Sequence, residues 1–178
     1  LLAAGAVFAV GVGLAIQNLV RSFISGLILL AERSVRPGDV LVVDGQLVKV
    51  VETRIRSTIA RTLSDEELIL PNDQLVEASI VNHTLNDHLY RVGATVGVHY
   101  DVDLDAALAS LRRAGDAVEG RERSHEPVAV VSEFSDSAIK LDLFVWTEDP
   151  WHMAGVRSAL LLSIWRTLKA DGIPMAYP

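Results

Sequence analysis

The chain opens with LLAAGAVFAVGVGLAIQNLVRSFISGLILLA, residues 1–31, in which Arg21 is the only ionisable side chain. Residues 1–16 are uncharged and rich in Gly and Ala, and the apolar composition continues to Ala31. A helix of 16 residues is about 24 Å long, and adding Gln17–Val20 brings it to the ~30 Å of a hydrocarbon core. The stretch therefore predicts a membrane-spanning helix.

Small residues recur in this stretch at helical spacing and divide into three lines along one helix. The lines are Gly5, Ala9 and Gly13; Val7, Gly11 and Ala15; and Ala6, Val10, Leu14 and Asn18. Small side chains allow helix backbones to approach closely. If several copies pack the first line against the second around an axis, Val10 and Leu14 on the third line form rings of hydrocarbon. A gate that closes by dewetting requires such rings.

The same stretch is compatible with three alternative structures. It could be a buried helix of a soluble protein or the end of a signal sequence, although no basic segment precedes it. The pattern Gly11-x-Gly13, with Glu32 nineteen residues later, imitates a dinucleotide-binding fingerprint, but the third glycine is Ile16 and no series of βαβ units follows. The chain begins with Leu1 rather than Met, so we expect further membrane helices upstream.

The remainder of the chain is acidic, since all 23 Asp and Glu and all but one of the 16 Lys and Arg lie in residues 32–178. This balance disfavours a nucleic-acid partner, whose phosphates require a cationic surface. The absence of Cys excludes disulfides and thiolate metal sites. Arg33 and Arg36 follow the apolar stretch directly, so the positive-inside rule places the body in the cytoplasm.

No motif in the sequence predicts an enzyme or a cofactor. A nucleophile elbow, a Walker loop and a paired zinc motif are all missing from residues 1–178. His83 and His88 flank Asp87 in a polar connection without a clear third ligand, so we interpret them as loop histidines rather than as metal ligands.

The body shows two patterns, which predict a small all-β domain followed by an α+β domain. Short β-branched runs at 40–43, 47–51, 54–60 and 68–70, with an Asp44-Gly45 hairpin turn, predict the first. Strands at 90–98, 128–134 and 139–146 with helices at 104–118 and 152–170 predict the second. The predicted domains are residues 1–34 for the pore helix and a following amphipathic helix, 35–85 for the β-domain, and 86–178 for the α+β domain.

Five segments together carry a resemblance to a known family. They are GVGLAIQN at 11–18, FISGLIL at 23–29, RPGD at 36–39, RST at 56–58 and LPN at 70–72. In this order and spacing the chain resembles the small-conductance mechanosensitive channel family. The resemblance implies a ring-shaped homo-oligomer, a heptamer, whose third transmembrane helix lines the pore above a cytoplasmic vestibule. It also implies a multi-pass protein of the inner membrane that opens under lipid tension in hypoosmotic shock and passes ions and small solutes.

The resemblance assigns roles to several residues of the first helix. Leu14 matches the lower of the family's two leucine constriction rings, and the upper ring falls on Val10. The small residues Gly5, Ala9, Gly11, Gly13 and Ala15 are the predicted packing surface of the pore helix, with Gly11 at a position where the family pattern has alanine. Asn18 and Gly26 match two sites at which that helix bends. We also expect Ser22–Ala31 to pack on the β-domain through Phe23, Leu27 and Leu30. A membrane-anchored oligomeric scaffold without conductance and a ring that binds RNA are the alternatives.

Overall fold

The computed structural model describes residues 2–176, apart from the side chains of residues 2–9 and of Asn18. The chain divides into two compact units, Leu1–Asp87 and His88–Pro178. The first unit contains the apolar helix and a five-stranded sheet, and the second contains a three-stranded sheet with two helices. The three-part division at residues 34 and 85 stays a prediction.

The first helix, α1, runs from Leu2 to Glu32. The sequence predicts two helical segments here, but the structure has one continuous helix. It ends because Arg33 takes a left-handed conformation, with φ 54°, while its backbone N–H donates to the Leu29 carbonyl over 2.9 Å. Gly11 and Gly13 lie inside α1 rather than in a turn between a strand and a helix. The dinucleotide-binding alternative is therefore wrong.

The sheet of the first unit is antiparallel, in the order β4-β3-β2-β1-β5. Its strands are β1 Val40–Val43, β2 Gln46–Thr53, β3 Ser57–Thr62, β4 Glu67–Pro71 and β5 Val81–Asn82. The hairpin turn predicted at Asp44-Gly45 is confirmed, since both residues have the positive φ, 50° and 79°, that a tight turn between twisted strands needs. The core of this unit combines Leu29 of α1 with Leu41 and Val48 of the sheet.

Two features of this unit differ from the predictions. Residues 54–56 form a loop, and β3 begins only at Ser57, because the backbone groups of Arg54 and Arg56 bond Ser57 and Asn72 rather than a strand ladder. A short helix, α2, occupies Asn72–Glu77, for which the sequence predicts no helix. The predicted all-β domain thus contains a helix.

The second unit confirms the predicted order of strand, helix, two strands and helix. Its elements are β6 Tyr90–Val98, α3 Leu104–Asp116, β7 Val128–Phe134, β8 Ile139–Thr147 and α4 Met153–Ala170. The antiparallel sheet has the order β6-β8-β7. Alternate residues of β8 are buried, including Leu141 and Leu143, which join Leu111 of α3 and Leu160 of α4 in one core.

Local signals define the ends of both helices in this unit. Asp103 caps α3 by accepting hydrogen bonds from the backbone N–H groups of Asp105 and Ala106. A 3-10 turn at Pro150–His152 precedes α4, so this helix begins one residue later than predicted. The helix ends at Ala170, as predicted, and Gly172, with φ 69°, follows its end.

Candidate functional site: the apolar helix and its seat on the sheet

The first two turns of α1 with described side chains are uncovered. Val10 is 63% exposed and Leu14 is 65% exposed, and they lie one helical turn apart. The window Val10–Glu32 has a mean hydropathy of 1.6 with 18% of it buried, and it is the one helix of residues 2–176 long and apolar enough to cross a membrane. Apolar side chains exposed on every side of a helix indicate an environment supplied by lipid or by other copies of the chain.

The structure brings some of the predicted site residues together on this helix. Gly11 and Gly13 would meet nothing within 4 Å if they carried a Cβ, so this surface is open to a neighbouring helix. Ala15 is exposed as well. Gly5, Ala9 and Asn18 belong to α1, but their side chains lie outside the described residues. The roles predicted for all these residues stay predictions.

The last turns of α1 are held on the sheet by a buried face. This face consists of Ser25, Gly26 and Leu29. The sequence predicts that Phe23, Leu27 and Leu30 make this contact. That prediction is wrong, because these three side chains are exposed. The predicted face consists of large apolar side chains, whereas the observed face includes two small residues, Ser25 and Gly26.

Gly26 is a position at which α1 lies close to the loop between β2 and β3 and to the start of α2. A Cβ there would overlap the carbonyl oxygen of Ile55 and would lie 2.6 Å from the Asn72 side-chain nitrogen. Only glycine fits without displacement of the loop between β2 and β3. The sequence predicts a bend at Gly26, and the structure adds a packing role, while the bend stays a prediction.

Asn72 helps to form the surface that contacts the end of α1, and the sequence does not predict this role. It is fully buried; its amide nitrogen donates to the Arg54 carbonyl over 2.9 Å, and its amide oxygen accepts from the Thr58 hydroxyl over 2.9 Å. Its backbone N–H donates to the Arg56 carbonyl over 3.1 Å. The side chain thus holds the loop that contacts Gly26. The only feature of the sequence that singles out Asn72 is its place in the LPN segment.

An ion pair adds a second attachment between α1 and the body. Nη1 of Arg21 lies 3.3 Å from Oε1 of Glu77, the last residue of α2. Both side chains are about half exposed, so solvent screens the pair and its contribution to stability is small. The pair nevertheless attaches Arg21, the one charged residue of the apolar stretch, to α2.

A buried carboxylate organises the connection from α1 into the sheet. Asp39 accepts hydrogen bonds from the backbone N–H of Arg36 over 3.0 Å and from the side-chain amide of Asn82 over 2.9 Å. Its other oxygen accepts from the Thr84 hydroxyl over 3.2 Å, and that hydroxyl also accepts from the Val40 backbone N–H. These bonds join β1, β5 and the connection that follows α1.

In the part of the chain that the structure describes, the arginines of the first unit and the histidines between β5 and β6 show no arrangement typical of a ligand site. Arg54 of the β2–β3 loop pairs with Glu52 over 3.0 Å, and Arg61 of β3 lies 3.9 Å from Glu67 of β4, so both arginines are half exposed beside a carboxylate. Within residues 2–176 no three His, Asp or Glu side chains are grouped as metal ligands would be. Burial lowers the pKa of His83, which keeps its imidazole neutral over more of the physiological range.

Comparisons with known proteins agree with this architecture. The family model described as the β-domain of the mechanosensitive ion channel matches residues 18–85, and the model of the MscS C-terminal region matches residues 92–175. An MscS family protein of Archaeoglobus fulgidus is 28% identical over the whole chain, and mechanosensitive channel MscK of Escherichia coli is 34% identical over 77% of it. The chain spans 62% of the first relative and 12% of the second.

The fold is shared with a solved channel. The closed-state structure of Helicobacter pylori MscS superposes with a TM-score of 0.87 at 22% identity, covering 99% of this chain and 69% of that one. The two structures share an apolar helix, a five-stranded sheet and an α+β unit in this order along the chain. Because both family models match and together take in most of the sequence, the chain belongs to the small-conductance mechanosensitive channel (MscS) family.

Proposed function

We propose that this chain is the pore and cytoplasmic body of a mechanosensitive channel of the inner membrane, which opens under membrane tension and releases ions and small solutes during hypoosmotic shock. The observation that carries the proposal is the uncovered apolar helix joined to a body of this family. In a single soluble copy, the exposed apolar side chains of Val10 and Leu14 would contact water.

The attachments of α1 support a particular depth in the membrane. The helix is tied to the body at Arg21 and again at Ser25, Gly26 and Leu29, so this part lies outside the hydrocarbon. Residues 2–20 remain to cross the membrane, and 19 residues of helix extend about 28 Å, close to a hydrocarbon core of ~30 Å. Val10 and Leu14 then lie near the middle of the bilayer.

The gate in this proposal is a dry constriction. Seven copies around an axis place Val10 and Leu14 in two rings, whose narrow apolar surface holds no stable column of water. Tension favours the conformation with the larger area in the membrane plane, and the wider ring admits water and ions. No catalytic group takes part.

Recordings from patches under graded suction test the proposal. The intact protein, reconstituted in liposomes, is expected to open above a threshold of suction, and mass spectrometry of the purified complex is expected to give seven copies. Absence of conductance from a correctly assembled ring would favour the membrane-anchored scaffold instead. A complex without an axial opening would contradict the gate.

A further inference from the structure

The free edge of β6 in the second unit is only partly covered. β6 pairs with β8 on one side alone. On its other side, the Ala176 backbone N–H donates to the Gly97 carbonyl over 2.9 Å, and Nε of Arg157 donates to the Gly93 carbonyl over 3.3 Å. Since alternate residues of an edge strand direct their backbone groups outward, the N–H of Gly93 also faces this edge.

A cleft of about 310 Å³ lies along the uncovered part of this edge. Its walls include Arg91 and Gly93 of β6 and Met153 and Arg157 of α4. A Cβ at Gly93 would lie 2.8 Å from the Phe144 ring, so glycine leaves room for that ring beside the cleft. Among the described residues, no Asp or Glu lines the cleft.

Arg91 and Arg157 both line the cleft, and neither forms an ion pair with a carboxylate within residues 2–176. Arg91 stacks on Phe144, with its central carbon 4.5 Å from the ring centroid. Arg157 uses its Nε on the Gly93 carbonyl, which leaves its terminal N–H groups for another acceptor.

We propose that this cleft binds a small oxyanion, the phosphoryl or carboxylate group of a cytosolic solute. The cleft is lined by two arginines and by Gly93 of the sheet edge, and the Gly93 carbonyl already accepts from Arg157, so donors outnumber acceptors there. Planar guanidinium forks match the oxygens of such anions, and stacking on an aromatic ring holds Arg91 in place.

Calorimetric titration of inorganic phosphate into the intact channel in detergent, at constant ionic strength, tests the proposal. We expect saturable binding by the wild type and a loss of affinity of about tenfold or more in Arg91→Gln/Arg157→Gln, because each charge-assisted contact removed weakens binding. Arg91→Lys/Arg157→Lys keeps the charge without the fork and is expected to bind at intermediate affinity. Acetate, titrated in parallel, decides between the two sources: tighter phosphate binding indicates a phosphoryl group, and tighter acetate binding a carboxylate.

Arg112→Gln/Arg166→Gln is the matched control. It makes the same charge change at two exposed arginines of the same unit that do not line the cleft. We expect it to bind phosphate as the wild type does. The proposal is overturned if the wild type binds neither anion saturably, if the control loses as much affinity as the cleft variant, or if the folded cleft variant keeps full affinity.

Discussion

Leu14 is a residue at which a small chemical change should alter gating. A buried hydroxyl without a partner costs about 1–3 kcal/mol, so Leu14→Ser favours a hydrated ring over a dry one. We expect the variant to open at lower suction than the wild type in excised patches. Ile16→Ser, a comparable change two residues along the helix and on another face, should keep the threshold closer to normal. An unchanged threshold in Leu14→Ser would argue against this residue as the gate.

Gly26 is a residue at which one added methyl group should destabilise the first unit. The Cβ of Gly26→Ala has to displace the Ile55 carbonyl or the Asn72 amide, and such overpacking costs about 1–3 kcal/mol. We expect a lower midpoint of thermal unfolding in detergent. Gly155→Ala is the control, because that glycine of α4 has open space around its Cβ and alanine favours a helix. Equal midpoints for Gly26→Ala and the wild type would show that the loop yields freely.

The attachment of α1 to α2 is a property of two elements. In a double-mutant cycle with Arg21→Gln and Glu77→Gln, we expect a coupling free energy of about 0.2–1 kcal/mol, because the pair is half exposed. High salt should reduce it. The exchanged pair, Arg21→Glu with Glu77→Arg, should recover part of the stability lost by either single exchange. A coupling energy insensitive to salt would indicate packing rather than charge.

The loop between α3 and β7 makes the second unit sensitive to acid. Glu122 accepts from the Ser124 backbone N–H over 2.6 Å and from the His125 ring over 2.7 Å, and these bonds lower its pKa from 4.5 to about 2. A lowered folded-state pKa stabilises the fold above pH 4.5, and this stabilisation is lost as the pH falls towards 2.

Glu122→Gln should therefore unfold at a lower temperature than the wild type near neutral pH, and the difference should shrink as the pH falls through this window. Thermal unfolding followed by circular dichroism at several pH values measures it. Glu119→Gln is the control, since this exposed carboxylate of the same loop makes no hydrogen bond or ion pair to the described residues. A difference that stays constant down to about pH 3 would contradict the role given to the Glu122 charge.

The shared axis is a property of the whole assembly and can be probed with a metal ion. Residues 1–178 contain no cysteine, so Val10→Cys introduces a ring of thiols that can bind Cd²⁺ together. We expect Cd²⁺ to block the conductance of this variant. Val12→Cys, at an exposed valine on another face of the same helix, should stay conductive in Cd²⁺. Equal block of both variants would contradict a ring at Val10.

Features that arise from neighbours along the chain can be predicted without coordinates. Apolar composition indicates the helix, alternation indicates the strands, and Asp44-Gly45 indicates the hairpin, because hydropathy and backbone preference act over a few residues. The order and spacing of five short segments indicate the family, which the comparisons confirm.

Contacts between groups distant in sequence emerge only when the chain is folded. The face of α1 that packs is set by a carbonyl at Ile55, and the partner of Arg21 lies 56 residues away at Glu77. Asn72 forms its bonds only once the loop at Arg54 is in place. Such contacts depend on how closely two backbones approach, and no local pattern of side chains encodes that distance.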